Sequence, residues 1–110
     1  MIRTELKRGT AELAVLSVLE DGPLHGYEIG RRIEEQSGGL LHYTLAALYP
    51  LLYRMEHRGW LRGEWAIGDS GKRRRSYRLL PRGRKMLKPM REEWADLFRV
   101  LRRVAKVKHA

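Results

Sequence analysis

The 110-residue chain contains no cysteine, four prolines, a single phenylalanine and no long apolar run. Without cysteine it cannot form a disulfide, a thiol nucleophile or a cysteine-ligated zinc site. The N-terminal residues MIRTELKRG lack the apolar segment of a signal peptide, and no stretch reaches the length of a membrane span. These absences, with a length that suits one domain, predict a soluble cytoplasmic protein.

Acidic residues are scarce where basic residues are dense. Residues 1–71 hold 8 Lys and Arg against 10 Asp and Glu, whereas residues 72–110 hold 15 against 3, within a net charge of +10. A positive charge concentrated in one region indicates a polyanionic partner better than it indicates a solubility device. This argument alone leaves DNA, RNA and a membrane surface open.

The N-terminal part of the chain predicts two helices separated by a break. Residues 10–19 (TAELAVLSVL) are almost continuously apolar, which predicts a buried helix capped by Gly9 or Thr10. The residues Asp21-Gly22-Pro23 favour a turn. A second helix follows from about His25 to Ser37.

The stretch from Thr44 to Gly59 predicts the helix around which the chain is organised. Its apolar residues recur at steps of three and four and define a buried face: Leu45, Leu48, Leu52 and Met55. The opposite face has no carboxylate: Ala46, Ala47, Pro50, Tyr53, Arg54 and His57. Such a face suits a flat acidic partner, although an ordinary solvated face fits the pattern equally well. The helix starts either at a Thr44 cap or nearer Ala46, which would place Pro50 in its first turn.

A β-hairpin is predicted after this helix. Residues 60–67 (WLRGEWAI) and 75–80 (RSYRLL) are rich in strand-forming residues, and residues 68–71 (GDSG) favour a turn between them. Four adjacent cations, Lys72 to Arg75, lie between the turn and the second strand. Binding to the phosphates of a nucleic acid explains these cations better than a solvated edge that discourages strand aggregation. Each cation placed on the phosphate backbone releases counterions from the nucleic acid.

The remaining residues predict one long helix, from Pro81 to about Lys108, with a kink or a short break at Pro89. An apolar stripe follows steps of three and four: Leu87, Met90, Trp94, Leu97, Leu101 and Val104. Pairing with a second copy buries such a stripe more economically than folding back on the domain. The expected dimer seam is Trp94, Leu97, Phe98 and Leu101, with an effector pocket as the alternative role for these residues.

Three helices followed by a basic hairpin define a winged helix-turn-helix, in which the third helix enters the major groove and the wing contacts the backbone or minor groove. The expected fold class is mainly α with a two-stranded β-wing (α+β), plus a long C-terminal dimerisation helix. Residues 1–80 would form the DNA-binding domain, and residues 81–110 the dimerisation helix of the same compact unit. Candidate contacts to base edges and nearby phosphates are Tyr53, Arg54 and His57. The wing's candidate phosphate contacts are Lys72, Arg73, Arg74 and Arg75.

Several motifs in the same order also resemble one family. They are GPLHGYEI at residues 22–29, Leu48-Tyr49-Pro50, Arg73-Arg74-Arg75 with Tyr77-Arg78-Leu79, and Pro81 with Gly83. Together they resemble the PadR family of bacterial transcriptional regulators over roughly residues 6–100, and the chain looks like the short-tailed members. The resemblance implies a homodimer that binds double-stranded operator or promoter DNA, usually as a repressor, with no cofactor and no membrane partner. It also implies a small aromatic or drug-like effector for some members.

The chain departs from the family pattern at several positions. The family commonly has Thr or Ser, often preceded by Gly, before Leu-Tyr-Pro, whereas this chain has Ala46 and Ala47. A hydroxyl that could hold a phosphate is absent, so this position contacts a thymine methyl or nothing. Leu80 stands where the family often has a Thr that caps the last helix, and Pro89 is unexpected. These departures bear on base preference and dimer angle more than on DNA binding itself.

The second predicted helix carries features with two interpretations each. Gly26 and Gly30 lie one turn apart, and they either let another helix approach closely or are weak helix positions that the packing tolerates. Tyr27 and Arg31 either brace against the DNA backbone or, in the case of Tyr27, pack in the core. We favour the core for Tyr27.

Catalysis and metal sensing fit the sequence poorly. Both need convergent side chains, but the histidines are scattered along the chain: His25, His42, His57 and His109. We therefore expect neither an enzyme nor a metal site. Convergence of His25 and His42 with a carboxylate in one cleft would reverse that expectation.

Two further alternatives are binding proteins. A general basic protein that binds RNA or chromosomal DNA would expose aromatic residues for stacking, whereas Trp60, Trp65 and Tyr77 are expected to pack mostly inward. A protein-interaction module that has lost DNA binding fits Ala46 and Ala47 but does not explain the basic wing.

Overall fold

The computed structural model describes residues 4–106 and residue 108. His109, one of the four scattered histidines, therefore lies outside the described residues. In chain order the elements are α1 (Thr4–Val18), β1 (Leu24–His25), α2 (Gly26–Gln36), α3 (Leu45–His57), β2 (Leu61–Ile67), β3 (Arg73–Leu79) and α4 (Pro81–Val104). Apart from β1, this order is that of the predicted winged helix-turn-helix followed by a long last helix. Among these described elements, no helix is both long enough and apolar enough to cross a membrane.

Helix α1 begins earlier than the sequence pattern predicts. Its first residue is Thr4, so Gly9 and Thr10 lie inside the helix and the predicted cap is wrong. The residues before Gly9 include good helix formers, and one interior glycine costs a helix only about 1 kcal/mol relative to alanine. The side chains of Val15 and Leu16 are fully buried, which places α1 at the centre of the core.

Helix α3 packs closely on α2 because two glycines leave room for it. A Cβ atom on Gly26 would lie 2.9 Å from the ring carbon Cε1 of Tyr49, and one on Gly30 would lie 3.1 Å from Cδ1 of Leu48. Both distances are shorter than ordinary van der Waals contacts. The close-approach interpretation of the two glycines is therefore correct.

The start of α3 decides between the two alternatives for Pro50. Thr44 is the N-cap, and its Oγ1 atom accepts a hydrogen bond from the Ala47 N–H at 3.2 Å. The helix begins at Leu45, so Pro50 lies inside it, beyond the first turn. Pro50 deprives the carbonyl of Ala46 of its helical partner, and the exposed position of Ala46 lets water take that place.

The sheet contains a strand that the sequence pattern did not predict. β1 pairs antiparallel with β3 through Leu24 opposite Tyr77 and His25 opposite Ser76, which gives the strand order β1-β3-β2. Two residues are too few for an alternating pattern to be visible. β3 also begins at Arg73, two residues earlier than predicted. We call the β2–β3 hairpin the wing. Because Arg73, Arg74 and Arg75 lie in β3, their side chains alternate between the two faces of the wing.

Helix α4 ends at Val104, before the predicted end near Lys108, and it continues through Pro89, so of the predicted kink or short break the break is wrong. The carbonyl that Pro89 leaves without a helical partner belongs to Lys85, an exposed residue where water can bind it. The expected loss of a capping side chain at Leu80 is confirmed, and Pro81 occupies the first helical position, where its missing N–H costs little.

The first half of α4 packs on the rest of the domain. Leu87 is buried in the core, and Gly83 touches the Trp60 backbone so closely that a Cβ atom would collide with the Trp60 carbonyl oxygen. The Arg91 guanidinium lies 2.8 Å from Oε1 of Glu20, and this hydrogen bond lowers the pKa of the Glu20 carboxyl. These contacts fix where α4 leaves the domain.

Candidate nucleic-acid interface

The outward face of α3 is exposed along its whole length, as its periodicity predicts. Ala46 and Ala47 lie in the first turn of this face and leave its surface flat. Further along, the rings of Tyr53 and His57 stack with centroids 6.0 Å apart and an interplanar angle of 23°. Arg54 lies beside them, and no described carboxylate forms an ion pair with it. The face therefore offers hydrogen-bond donors and positive charge to a partner.

The wing carries cations that the fold leaves without counter-charges. Lys72, Arg73 and Arg74 are exposed, and none of them pairs with a carboxylate in the described part of the chain. The tight turn before them is closed by the Gly71 N–H, which donates to the Gly68 carbonyl at 2.9 Å. Because these three cations form no ion pair with a described carboxylate, an anion can bind them without an internal ion pair being broken first.

Arg75 differs from the three cations before it. Its Nη2 atom donates to Oε2 of Glu56 at 3.0 Å, and the backbone N–H of Gly63 donates to the same oxygen at 3.2 Å. Glu56 therefore ties α3 to both strands of the wing. Burial raises the pKa of the neighbouring Tyr77 phenol, and the Glu56 carboxylate raises it further.

Two connected grooves run between the helices and the wing. One, of about 580 Å³, lies between α3 and β3, and the other, of about 590 Å³, lies between the start of α2 and the wing. Tyr49, Arg75 and Tyr77 line both of them. Sequence reasoning did not select Tyr49 as a functional residue, although it lies within the Leu-Tyr-Pro motif and is exposed.

The second half of α4 extends beyond these contacts. The residues predicted as a dimer seam, here called the α4 seam, are Trp94, Leu97, Phe98 and Leu101. Leu97, Phe98 and Leu101 are exposed, and the rings of Trp94 and Phe98 contact each other with centroids 5.6 Å apart. The helix therefore presents a connected apolar surface to its surroundings.

Comparison with known proteins agrees with this geometry. The model of the transcriptional regulator PadR-like family matches residues 15–89, which is most of the chain. The chain belongs to the PadR-like family.

Solved structures extend the match over nearly the whole molecule. A transcriptional regulator from Clostridium thermocellum is 28% identical, with 99% of this chain and 100% of that chain covered and a TM-score of 0.82. A PadR family regulator from Eggerthella lenta is 31% identical, with 94% and 88% covered and a TM-score of 0.81. Bacillus subtilis PadR in complex with operator DNA is 23% identical, with 78% and 45% covered and a TM-score of 0.65, and it shares the fold.

Tyr27 of this PadR-like regulator is not a core residue, so the favoured prediction for it is wrong. Its side chain is 60% exposed on the outer side of α2. Ile29 and Ile33, together with Gly26, take the side of α2 that faces the core. Arg31 is exposed as well, and its Nε atom lies 3.4 Å from Oε1 of Glu35.

The prediction that Trp60, Trp65 and Tyr77 pack mostly inward holds for two of them. Tyr77 is buried and Trp60 is partly buried against the core, but Trp65 is 58% exposed. The wing extends beyond the core on which its inner half packs. Trp65 lies on the inward side but near the tip, so no other described part of the protein covers it. The exposure of Trp65 weakens the argument against RNA binding, which was that these aromatic residues pack inward.

The histidines do not form a catalytic or metal-binding group in the described residues. The His25 backbone N–H donates to Oε1 of Glu28 at 2.9 Å, whereas His42 Nδ1 lies 2.7 Å from Oε1 of Glu34. The two histidines also line different grooves. No cluster of three or more potential metal ligands occurs in residues 4–106 or at residue 108.

Proposed function

We propose that this PadR-like regulator is a homodimeric repressor that binds double-stranded operator or promoter DNA through α3 and the wing. One observation supports the proposal most strongly. The exposed face of α3 and the cations of the wing border the same pair of grooves, and Glu56 is the one carboxylate among the described residues that line them. DNA phosphates would supply the missing counter-charges and release their own counterions.

On α3, Arg54 is the proposed reader of base edges. A guanidinium can donate two parallel hydrogen bonds to guanine in the major groove, and no internal ion pair with a described residue has to be broken first. Tyr53 and His57 would contact neighbouring bases or phosphates. Ala47 is small enough to let the helix approach a thymine methyl.

On the wing, Lys72, Arg73 and Arg74 are the proposed phosphate contacts. Arg75 contributes less to affinity in this proposal, because Glu56 already offsets its charge. Its main role is to hold the wing against α3, so that both elements meet the DNA at a set angle.

The α4 seam is the proposed dimer contact, which makes residues 81–110 the dimerisation segment, with α4 as its helix, and residues 1–80 the DNA-binding domain. A twofold pair of α4 helices would present two copies of α3 to successive major grooves of a palindromic site. A small aromatic effector that inserts between Trp94 and Phe98 of the two copies would change this spacing and release the DNA. The regulator would act in the cytoplasm and catalyse no reaction.

The test is fluorescence anisotropy of the purified protein with its own upstream DNA, a scrambled duplex and a matched RNA, across a range of salt. We expect tight binding to the upstream DNA alone, with a log–log salt slope of about −0.9 for each neutralised phosphate. Arg54→Ala should relax the preference for that DNA. Arg74→Ala should weaken all duplexes similarly and flatten the slope by about 1.

A second candidate function is general binding of RNA or chromosomal DNA. The exposed Trp65 favours it, because an exposed aromatic ring among arginines can stack on bases of any sequence. Equal affinity for the three nucleic acids would establish this function in place of the first. Failure to bind any of them at low salt would reject both functions.

A further inference from the structure

The outer half of the wing exposes two large apolar side chains on one face. Trp65 is 58% exposed and Ile67 is 76% exposed. Trp65 lies opposite Arg75 and Ile67 lies opposite Arg73, so the four side chains share that face, which we call the wing face. Nearer the domain the same side of the hairpin is covered, as the buried Leu61 indicates.

The opposite side of the hairpin has a different composition. Arg62 and Arg78 share the Glu64 carboxylate, at 3.3 and 3.4 Å, Arg74 lies nearer the tip, and no large apolar side chain of the described hairpin is exposed there. β2 is also an edge strand of the sheet. Exposed apolar residues on an edge strand promote association between copies, which proteins usually avoid with charged side chains. The exposure of Trp65 and Ile67 on the wing face therefore needs an explanation.

Two guanidinium groups lie over the exposed tryptophan. The Arg73 Cζ atom is 4.9 Å from the centroid of the Trp65 ring, and the Arg75 Cζ atom is 5.5 Å from it. Cation–π attraction holds the ring and both cations together. The wing face is therefore apolar and positive at the same place.

This combination discriminates between possible partners. An apolar protein surface would bury the Arg73 guanidinium group without a counter-charge, which is costly. Phosphates alone would neutralise the arginines but leave Trp65 and Ile67 uncovered. A minor groove offers both complements, since deoxyribose rings form its walls and its negative potential is greatest where A·T pairs make it narrow.

We propose that Trp65 and Arg73 enter the minor groove beside the site read by α3 and select A·T-rich flanks there. This proposal rests on the proposed DNA-binding function and adds a second specificity-determining contact to it. The ring of Trp65 packs on the deoxyribose walls while the Arg73 guanidinium points to the floor. A G·C pair is disfavoured because the amino group of guanine projects from that floor.

The experiment varies the base pairs that flank the α3 site in the upstream DNA, with that site located by footprinting and left unchanged. The flanks are A·T, G·C or inosine·C pairs. An inosine·C pair lacks the guanine amino group, so its minor groove resembles that of A·T while its major groove resembles that of G·C. We expect the unmodified protein to bind the A·T and inosine·C flanks about tenfold more tightly than the G·C flank.

Trp65→Ala should reduce this preference to about twofold or less, within the cost range of a single lost base contact. Arg62→Ala, on the opposite side of the hairpin, is the matched control and should retain the full preference. Thermal melts of both variants verify folding, and Trp65→Phe provides a ring-bearing replacement if Trp65→Ala unfolds.

Three results would overturn the proposal while leaving DNA binding intact. They are equal binding of the unmodified protein to all flanks, inosine·C behaving like G·C, and Trp65→Ala weakening all flanks by one factor. The last result would mean that Trp65 merely positions the arginines for phosphates. Failure of the unmodified protein to prefer its upstream DNA over the scrambled duplex would instead reject specific DNA binding, and this inference with it.

Discussion

The wing face and the α4 seam are both exposed apolar surfaces, but their charges are arranged differently. On the wing face, guanidinium groups lie over the indole ring of Trp65. On the α4 seam, the Trp94 ring contacts the Phe98 ring instead, and the nearby Asp96 and Arg99 pair with each other at 3.1 Å on the other side of the helix. Exposure alone thus does not identify a partner. An apolar surface mixed with cations suits a polyanion, and an apolar surface free of charge suits another apolar surface.

Both surfaces lie beyond the reach of the same core. The inner wing ends at the buried Tyr77, and the packed half of α4 contains the buried Leu87. The outer half of each element continues the same secondary structure without protein beneath it. The following predictions test whether the two surfaces have the separate partners proposed for them, from the largest expected effect to the smallest.

Replacing two seam residues together, Leu97→Glu with Leu101→Glu, should convert the proposed dimer into a folded monomer. Burying each leucine contributes about 1.5–3 kcal/mol, and each copy loses both, so the dimer dissociation constant should rise by more than about a hundredfold. Sedimentation equilibrium measures this directly. Arg103→Glu changes the net charge by the same amount on the opposite side of α4 and should leave the dimer intact. A double variant that remains dimeric would remove the α4 seam from the proposal.

Gly83→Ala should destabilise the joint between the wing and α4. The new methyl group would collide with the Trp60 carbonyl and lie 2.9 Å from Cδ1 of Leu79, and a backbone atom cannot move aside as a side chain can. Overpacking of this kind costs about 1–3 kcal/mol of unfolding free energy. Urea denaturation measures the loss. Gly68→Ala is the control, because its nearest neighbour would be an Arg74 carbon at an ordinary 3.6 Å, and it should unfold nearly like the unmodified protein.

Arg74→Ala and Arg75→Ala should have different effects on DNA binding and on stability, because Arg75 forms an ion pair with Glu56 and Arg74 has no described carboxylate partner. Removing Arg74 should flatten the salt slope of DNA binding by about 0.9 without loss of stability. Removing Arg75 should flatten it less and cost up to about 1 kcal/mol of unfolding free energy, because its partly exposed ion pair with Glu56 is lost. Equal changes in slope would show that Glu56 does not neutralise Arg75.

The smallest effect at neutral pH concerns Tyr77, whose contribution to stability changes only under alkaline conditions. Its pKa is raised in the folded protein, so the folded state keeps the phenol proton to higher pH than the unfolded state does. The unfolding free energy should therefore fall as pH rises above about 10, by at most about 1.4 kcal/mol per pH unit, and be unaffected at neutral pH. Tyr77→Phe should remove this decline, whereas Tyr53→Phe on the exposed face of α3 should retain it. Denaturation at several pH values distinguishes them.

Much of the fold could be predicted because each helix carries its own pattern. The faces of α3 followed from the spacing of Leu48, Leu52 and Met55, all of which are buried, whereas Leu45, the fourth residue of the predicted buried face, is 40% exposed at the start of the helix. The start of α1 and the break at Pro89 were local predictions that failed, and the other failures concern features that depend on distant parts of the chain. β1 exists only because Leu24 meets Tyr77, 53 positions later in the sequence, and the start of β3 follows from the pairing of Ile67 with Arg73.

The candidate site divides in the same way. The lack of carboxylates on the outer face of α3 and the run of cations after the turn are local facts, visible in the sequence. The pairing of Arg75 with Glu56 is not, because the two residues lie on different elements and meet only when the wing folds against α3. Trp65 was misplaced because periodicity gives the side of an element but not how far the core extends beneath it. Tyr27 was misplaced although it lies opposite Ile29 and Ile33 on α2, where helical periodicity gives an outward position.

By itself, then, the sequence determined the order of the elements other than β1, the inward faces of the helices, the family motifs and the uneven charge, since each depends on neighbouring residues or on composition. Only the tertiary structure decided which of the adjacent arginines keeps its charge free and which apolar residues stay uncovered. The physical reason is that solvent exposure and ion pairing depend on distances between elements, and these distances are set by the packing of the whole core around α1.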